Sequence, residues 1–327
     1  MHADKVTIVA GALFVVLFTV LTRGLLAQEP VYTLRVDVPV VSVDVGVSDL
    51  DGKPVTTLSK DDFVLYQDGV RQEIQNFSPV ESPYHIVLLV DLSGSTRGQR
   101  PLIVQAVNRF FKSVRPQDMI ALATFDSIVE RLMPFRSVWV GSRQVITLRR
   151  PSTGGTDFYR AVEWAARELR NVNGRKGAVV LTDGIHEGIP TKMVRVAGER
   201  VQQYISPEED REFQRILRTV WQSRAPFYFV AVSPSPRTLS RLPGAASPGP
   251  PRMQALAEIS GGRVVFPKTP EDVIPLYERI ARDLGTAYSL GYTPASPEND
   301  GRYRRIEVQV RDRNYRVSQS RDGYYAK

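Results

Sequence analysis

The sequence predicts an α/β fold: a doubly wound, mostly parallel sheet covered by helices, with an additional small β domain built from the N- and C-terminal segments. Three observations carry this. From His85 onward, continuous apolar runs alternate about five times with amphipathic helical stripes, the pattern of a parallel sheet buried on both faces. Before residue 80 and after residue 286, apolar residues recur at every second position with no helix between them. The first apolar run after His85 ends in Asp91, Ser93 and Ser95, three oxygen-bearing side chains on alternate residues.

Residues 1–27 read as an export signal. Lys5 precedes an apolar run from Val6 to Leu21, and Ala27 before Gln28 is a cleavage point. The run is short for a membrane-spanning helix, which wants about 20 residues, so an uncleaved anchor is the alternative. Either way the remainder is expected outside the cytoplasm, periplasmic or extracellular. Residues 31–80 form the N-terminal β unit. Leu34, Val36, Val38 and Val40 alternate, then the phase flips to Val41, Val43, Val45 and Val47, which calls for a bulge or break. Asp51-Gly52 and Asp68-Gly69 are hairpin signals.

The α/β domain spans 84–285. Ile103, Ala106, Val107, Phe110 and Val114 make the first helical stripe, followed by the buried strand "MIALATF". Ala161, Val162, Ala165 and Leu169 mark the next helix, and "GAVVLTDG" the next strand and turn. Ser206, Pro207 and Glu209 form a capping box expected to open a helix carrying Phe213, Ile216, Leu217 and Val220. "FYFVAVSP" is a buried strand, "SRLPGAASPGPP" a mobile loop, and "GGRVVFP" a short strand. Thr269 and Pro270 open a last helix with Val273, Leu276, Tyr277 and Ile280 inward. The tail, 286–327, returns to β alternation and is expected to pack with the N-terminal unit, because each piece alone has too few strands to bury its face.

Composition narrows the chemistry. There is no cysteine, which excludes disulfides, zinc–thiolate sites and thiol nucleophiles, and there are only three histidines. The formal net charge of +8 is concentrated in "GRYRRIEVQVRDRNYRVSQSRDG", where interleaved acids argue for a solvated sheet face rather than nucleic-acid binding. The tyrosines 288, 292, 303, 324 and 325 read as sheet-packing residues, and His186 as a solvated loop residue.

In a doubly wound sheet, ligands bind outside the carboxyl ends of the strands. Asp91, Ser93 and Ser95 stand there. So do the loop with Gly154, Gly155, Thr156 and Asp157, and the strand end at Asp183. A helix cap needs one such side chain, not three. The set offers two carboxylates and three hydroxyls, hard donors that suit Mg²⁺, with Mn²⁺ or Ca²⁺ as alternatives. Asp157 is expected as a helix cap or a neighbour of the ligands.

"DLSGS", "GGTD" and "TDG", in that order at strand ends, resemble the metal-ion-dependent adhesion site of von Willebrand factor type A domains, whose fold is Rossmann-like. The resemblance covers 84–285. It implies Ser93 and Ser95 as direct metal ligands, Thr156 as a ligand in the ligand-bound state, and Asp91 and Asp183 as water-mediated ligands. Thr96 stands where many bacterial members have methionine. The flanking segments resemble the secreted bacterial VWFA-related proteins of the acidobacterial type. The implied function is an exported, non-enzymatic protein-binding module that takes a partner's Asp or Glu carboxylate through the cation, with no nucleic acid and with membrane contact only through an uncleaved anchor. The alternatives are a metal-dependent hydrolase or phosphotransferase, for which no nucleophile elbow or base stands at these strand ends, and a structural envelope protein with a stabilising metal.

Overall fold

A computed structural model describes residues 40–137, 155–232, 247–295 and 300–326, which belong to one compact unit, Pro39–Lys327. The export segment, the strand expected at Leu34–Val38, Gly154 and residues 240–246 lie outside the described residues.

In chain order the strands and helices are β1 (Val41–Ser48), β2 (Phe63–Gln67), β3 (Val70–Gln72), β4 (Asn76–Ser78), β5 (His85–Asp91), α1 (Arg100–Ser113), β6 (Met119–Phe125), β7 (Val129–Ser137) and α2 (Phe158–Arg170). They continue with β8 (Lys176–Thr182), β9 (Thr191–Val196), β10 (Glu199–Tyr204), α3 (Arg211–Ser223), β11 (Phe227–Ala231), α4 (Gly249–Ser260), β12 (Arg263–Val265) and α5 (Val273–Thr286). The tail forms β13 (Ala287–Tyr292), β14 (Tyr303–Val310), β15 (Arg316–Gln319) and β16 (Gly323–Tyr325).

The central sheet has the order β12-β11-β8-β5-β6-β7. Its first five strands are parallel and β7 runs antiparallel at the edge. The sequence reading had no antiparallel strand here. Each inner strand carries an unbroken apolar run, Ile86–Val90 in β5 and Ala178–Leu181 in β8, because both of its faces are covered. Val87 and Leu89 of β5 point into a core with α2, α3 and α4, whereas Ile86, Leu88 and Val90 point into one with α1 and α5. From β5 the chain steps to β6 on one side and later to β8 on the other. The crevice beyond the carboxyl ends of β5 and β8 is therefore the topological switch point, where this class of sheet binds ligands.

Two antiparallel sheets, β15-β1-β13-β4 and β16-β14-β2-β3, enclose a third core of Val41, Val43, Val45, Leu65, Tyr288, Ile306 and their neighbours. At Asp68 (φ 50°) and Gly69 (φ 79°) both turn residues are left-handed, as a two-residue hairpin between β2 and β3 requires. The Asp51-Gly52 turn forms, but beyond it only an isolated bridge joins Ser48 to Pro54.

Two local expectations are corrected. The third helix opens at Asp210, whose carboxylate accepts from the Phe213 amide, and Ser206–Glu209 forms a separate turn ahead of it. The loop expected up to Pro251 instead ends in helix α4, begun by Gly249, Pro250 and Pro251 and closed at Gly261 in a left-handed cap. The stretch around residues 188–210, expected as a rim near the metal, holds a hairpin at 191–204.

Buried polar groups tie the elements together at the far end of the central sheet. Arg175 is fully buried; it donates to the carbonyls of Val80, Ser82 and Leu284 and lies 5.1 Å over the Tyr84 ring. Asp44 of β1 accepts from Ser289, from Tyr84 at 2.9 Å and from Tyr228 at 3.4 Å. Burial pushes its carboxyl above the ordinary value of 3.8, and those hydroxyls pull it only part of the way back. Above pH 3.8 the native group keeps a proton that the unfolded chain has lost, so stability from this site falls as pH rises, until the native group ionises too. Asp44→Asn is expected to flatten that decline. Parallel urea-midpoint curves for wild type and variant from mildly acidic to neutral pH would contradict it.

Candidate metal centre

Asp91 closes β5 and is fully buried. Its Oδ1 accepts from the Ser93 amide at 2.8 Å, the short-range turn that Asp favours, and its Oδ2 accepts from the Thr182 hydroxyl at 2.7 Å. Thr96, also buried, donates to the carbonyls of Asp91 and Ser93 at 3.1 and 3.2 Å and closes the loop from beneath. That loop holds the Ser93 and Ser95 hydroxyl oxygens 3.0 Å apart. Ser93 is fully buried and Ser95 half-buried, so the pair runs from the sheet end toward solvent.

Asp183 follows directly on β8 and is 2% exposed. Its Oδ1 accepts from the Ile185 amide at 3.0 Å, while Oδ2 is buried with no hydrogen-bond partner. Burial raises its pKa; the Ser95 hydroxyl beside it and the Ile185 amide oppose the rise. Burial, and then the charge of Asp183, push Asp91 up to about 7. Two buried carboxylates, one of which raises the other and carries an unused oxygen, form a site short of positive charge.

Thr156 lies at the same rim, 6% exposed. Its carbonyl accepts from the Glu187 amide at 3.1 Å, which binds the loop before α2 to the loop after Asp183. Among the described residues no hydrogen bond joins its hydroxyl to the other four side chains. Asp157 caps α2 by accepting from the Arg160 amide at 3.0 Å. The Glu187 carboxylate stands against Gly155, where a Cβ would meet it at 2.8 Å.

Sequence reasoning missed Thr182, which orients Asp91; its position immediately before Asp183 was the available signal. It missed Asp126, fully buried just beyond β6, whose Oδ1 accepts from the Ile128 amide at 3.1 Å and whose carbonyl accepts from the Asp157 amide at 2.7 Å. The expectation of a solvated His186 is overturned. The ring is 8% exposed and stacked on Tyr159, with centroids 4.0 Å apart. Burial lowers its pKa, so it sits there as a neutral packing group.

The donor chemistry fits a hard divalent cation. Among the described residues no group of three His, Asp or Glu side chains gathers to hold a metal. Here hydroxyls supply the oxygens that carboxylates do not, and the orphaned Asp183 Oδ2 supplies unused acceptor capacity beside them.

Asp183 is positioned by backbone-on-backbone packing. Gly184, at φ 70°, lies against Gly249 at the start of α4, and a Cβ on Gly249 would collide with the Asp183 carbonyl and the Gly184 backbone. No flexible side chain is present to yield. Gly249→Ala is expected to cost about 1–3 kcal/mol in unfolding free energy and to displace Asp183. An unchanged urea midpoint would contradict this.

The von Willebrand factor type A domain model matches residues 86–186. No curated protein sequence matches the chain. Among solved structures, a von Willebrand factor type A protein from Catenulispora acidiphila is 12% identical, with 89% of this chain and 74% of that one covered and a TM-score of 0.45. The von Willebrand factor domain of the type V pili tip protein Mfa5 from Porphyromonas gingivalis is 13% identical, covering 61% of this chain and 94% of that one, with a TM-score of 0.43. An aerotolerance-related membrane protein from Bacteroides fragilis NCTC 9343 is 13% identical, covering 61% and 98%, with a TM-score of 0.40. The Asp-x-Ser-x-Ser turn at the end of β5 and Asp183 at the end of β8 both fall within residues 86–186, the stretch that matches the von Willebrand factor type A domain family.

Proposed function

We propose that the chain is an exported, metal-dependent protein-binding module of adhesion type, which takes a partner's Asp or Glu carboxylate through Mg²⁺ held at Asp91, Ser93, Ser95, Thr156 and Asp183. The observation that carries this reading is the buried, unpartnered Asp183 Oδ2 beside Asp91. Leaving a buried carboxylate oxygen unsatisfied is costly, and a cation at this position would relieve both that cost and the charge that Asp183 places on Asp91.

The protein's own residues would divide the work. Ser93 and Ser95 present hydroxyl oxygens. Thr182 and the Ser93 amide hold the Asp91 carboxylate in one orientation, and the Ile185 amide does the same for Asp183. The cation supplies a concentrated charge that makes a solvent-facing carboxylate contact strong. Mn²⁺ or Ca²⁺ would satisfy the same oxygen set. Export to the envelope rests on the N-terminal segment; among the described residues no helix is long and apolar enough to cross a membrane.

Immobilised protein should retain a specific envelope protein in Mg²⁺, release it in EDTA and retain it again when Mg²⁺ is restored. The same protein should be absent when Asp183→Ala is the bait. Capture that ignores both chelator and substitution would overturn the reading.

A further inference from the structure

We propose that the β9–β10 hairpin is the docking arm for an acidic, extended segment of the protein partner, with Arg195 and Arg200 as its carboxylate clamp. This rests on the protein-binding reading above and names where, beyond the cation, the partner is held.

The hairpin is a built feature. β9 and β10 pair only with each other among the described residues, in a register that sets Arg195 directly opposite Arg200 and Val194 opposite Val201. At its tip Ala197 (φ 50°) and Gly198 (φ 90°) are both left-handed, the two-residue turn that matches strand twist. Its base is fixed. The Ile205 amide donates to the Pro190 carbonyl, Gln202 donates to the Thr191 hydroxyl, and the Lys192 ammonium bonds both oxygens of Glu209 at 2.6 and 2.7 Å.

The base of the hairpin lies near the proposed cation. The Glu187 amide bonds the Thr156 carbonyl, Ile189 is buried in the core, and the hairpin begins four residues after Glu187. Four extended residues reach at most roughly 14 Å.

Its chemistry is unfinished. Like charges directly opposite on a strand pair are unfavourable, yet Arg195 and Arg200 face each other, both exposed. Among the described residues neither side chain has an ion pair or hydrogen bond, whereas Lys192 nearby is fully satisfied. Met193 shares their face at 62% exposure, and Val196, on the opposite face, is 57% exposed. A face with two cationic side chains beside Met193, and apolar side chains on the reverse, complements an extended polypeptide with alternating acidic and apolar residues. The arm holds three basic residues and one acidic one, Glu199, over 191–204. That is short of the cluster of 4–8 cations that marks an anionic lipid surface.

The test uses the full chain and a fluorescein-labelled peptide of alternating Glu and Val, read by anisotropy. In Mg²⁺ and low salt, Arg195→Gln/Arg200→Gln is expected to weaken binding about tenfold, while its Mg²⁺ affinity, read by calorimetry, stays at the wild-type value. Both substitutions are on exposed side chains, so folding is preserved. Equal peptide affinity for variant and wild type would overturn the clamp. So would tighter, arginine-dependent binding of phosphatidylglycerol vesicles or heparin. Arginine-dependent binding that persists in EDTA and in Ser93→Ala would support the clamp and overturn the metal reading. Strictly Mg²⁺-dependent binding that ignores both arginines would support the metal reading and overturn the clamp.

Discussion

Arg252→Met is expected to lower the free energy of unfolding by about 3–5 kcal/mol, the cost of removing one partner from a buried ion pair. Arg252 is 1% exposed, and its guanidinium meets the Asp210 carboxylate at 3.1 Å and the Tyr159 hydroxyl at 2.6 Å. It also donates to the carbonyls of Pro248 and Ile205, and lies 5.6 Å over the Phe213 ring. Tyr159 in turn donates to Asp210 at 2.6 Å. One guanidinium thereby joins α4, α2 and the N-terminus of α3. Burial alone would raise Asp210; the Tyr159 hydroxyl, the Phe213 amide and Arg252 more than offset it, so the carboxyl sits below its ordinary range. Its stabilising contribution is therefore present above pH 3.8 and lost as pH falls through the depressed native value. Methionine fills similar volume but leaves Asp210 buried and unpaired. Arg252→Lys keeps charge and loses the forked geometry, and should fall between the two. Urea unfolding at neutral pH measures all three. A loss under about 1 kcal/mol for the methionine variant would mean that the network is worth no more than a surface pair.

Asp183→Ala is expected to act in opposite directions with and without cation. In EDTA the substitution removes a buried carboxylate with an orphaned oxygen, so the variant should be at least as stable as wild type. In Mg²⁺ the wild type should gain stability through binding, about 2.7 kcal/mol at a hundredfold excess over Kd. The variant should need about 10–100-fold more metal for the same gain. Thermal unfolding in EDTA and across a Mg²⁺ series separates the two effects. Equal destabilisation in both media would make Asp183 a structural residue and nothing more.

The sequence foreshadows the elements whose pattern is set by two-sided burial. The central runs of β5, β6, β8 and β11 are continuously apolar because helices cover both faces. The type of turn at Asp68-Gly69 follows from the backbone angles its residues tolerate. The Asp91–Ser95 turn is equally legible, because its hydrogen bonds are local in sequence. What was hidden depends on distant partners. Helix α4 buries Arg252 and Ser260 on its inner face, so its polar residues blur the apolar stripe that would have marked it. His186 is buried only because Tyr159 supplies a ring to stack on. Asp44 is a core carboxylate because Tyr84, Tyr228 and Ser289, all far along the chain, converge on it. The β9–β10 pairing was not legible because its alternation mixes charge with apolar residues.

The central claim is that the ends of β5 and β8 hold a divalent cation through hydroxyl and carboxylate oxygens. Isothermal titration of Mg²⁺ into the wild-type protein and into Ser93→Ala tests it most directly, since Ser93 contributes a donor and little packing. The account predicts one saturable site in the wild type and none in the variant, with both proteins equally folded by circular dichroism. Wild-type protein that takes up no Mg²⁺, Mn²⁺ or Ca²⁺, or a variant that binds as the wild type does, would contradict it.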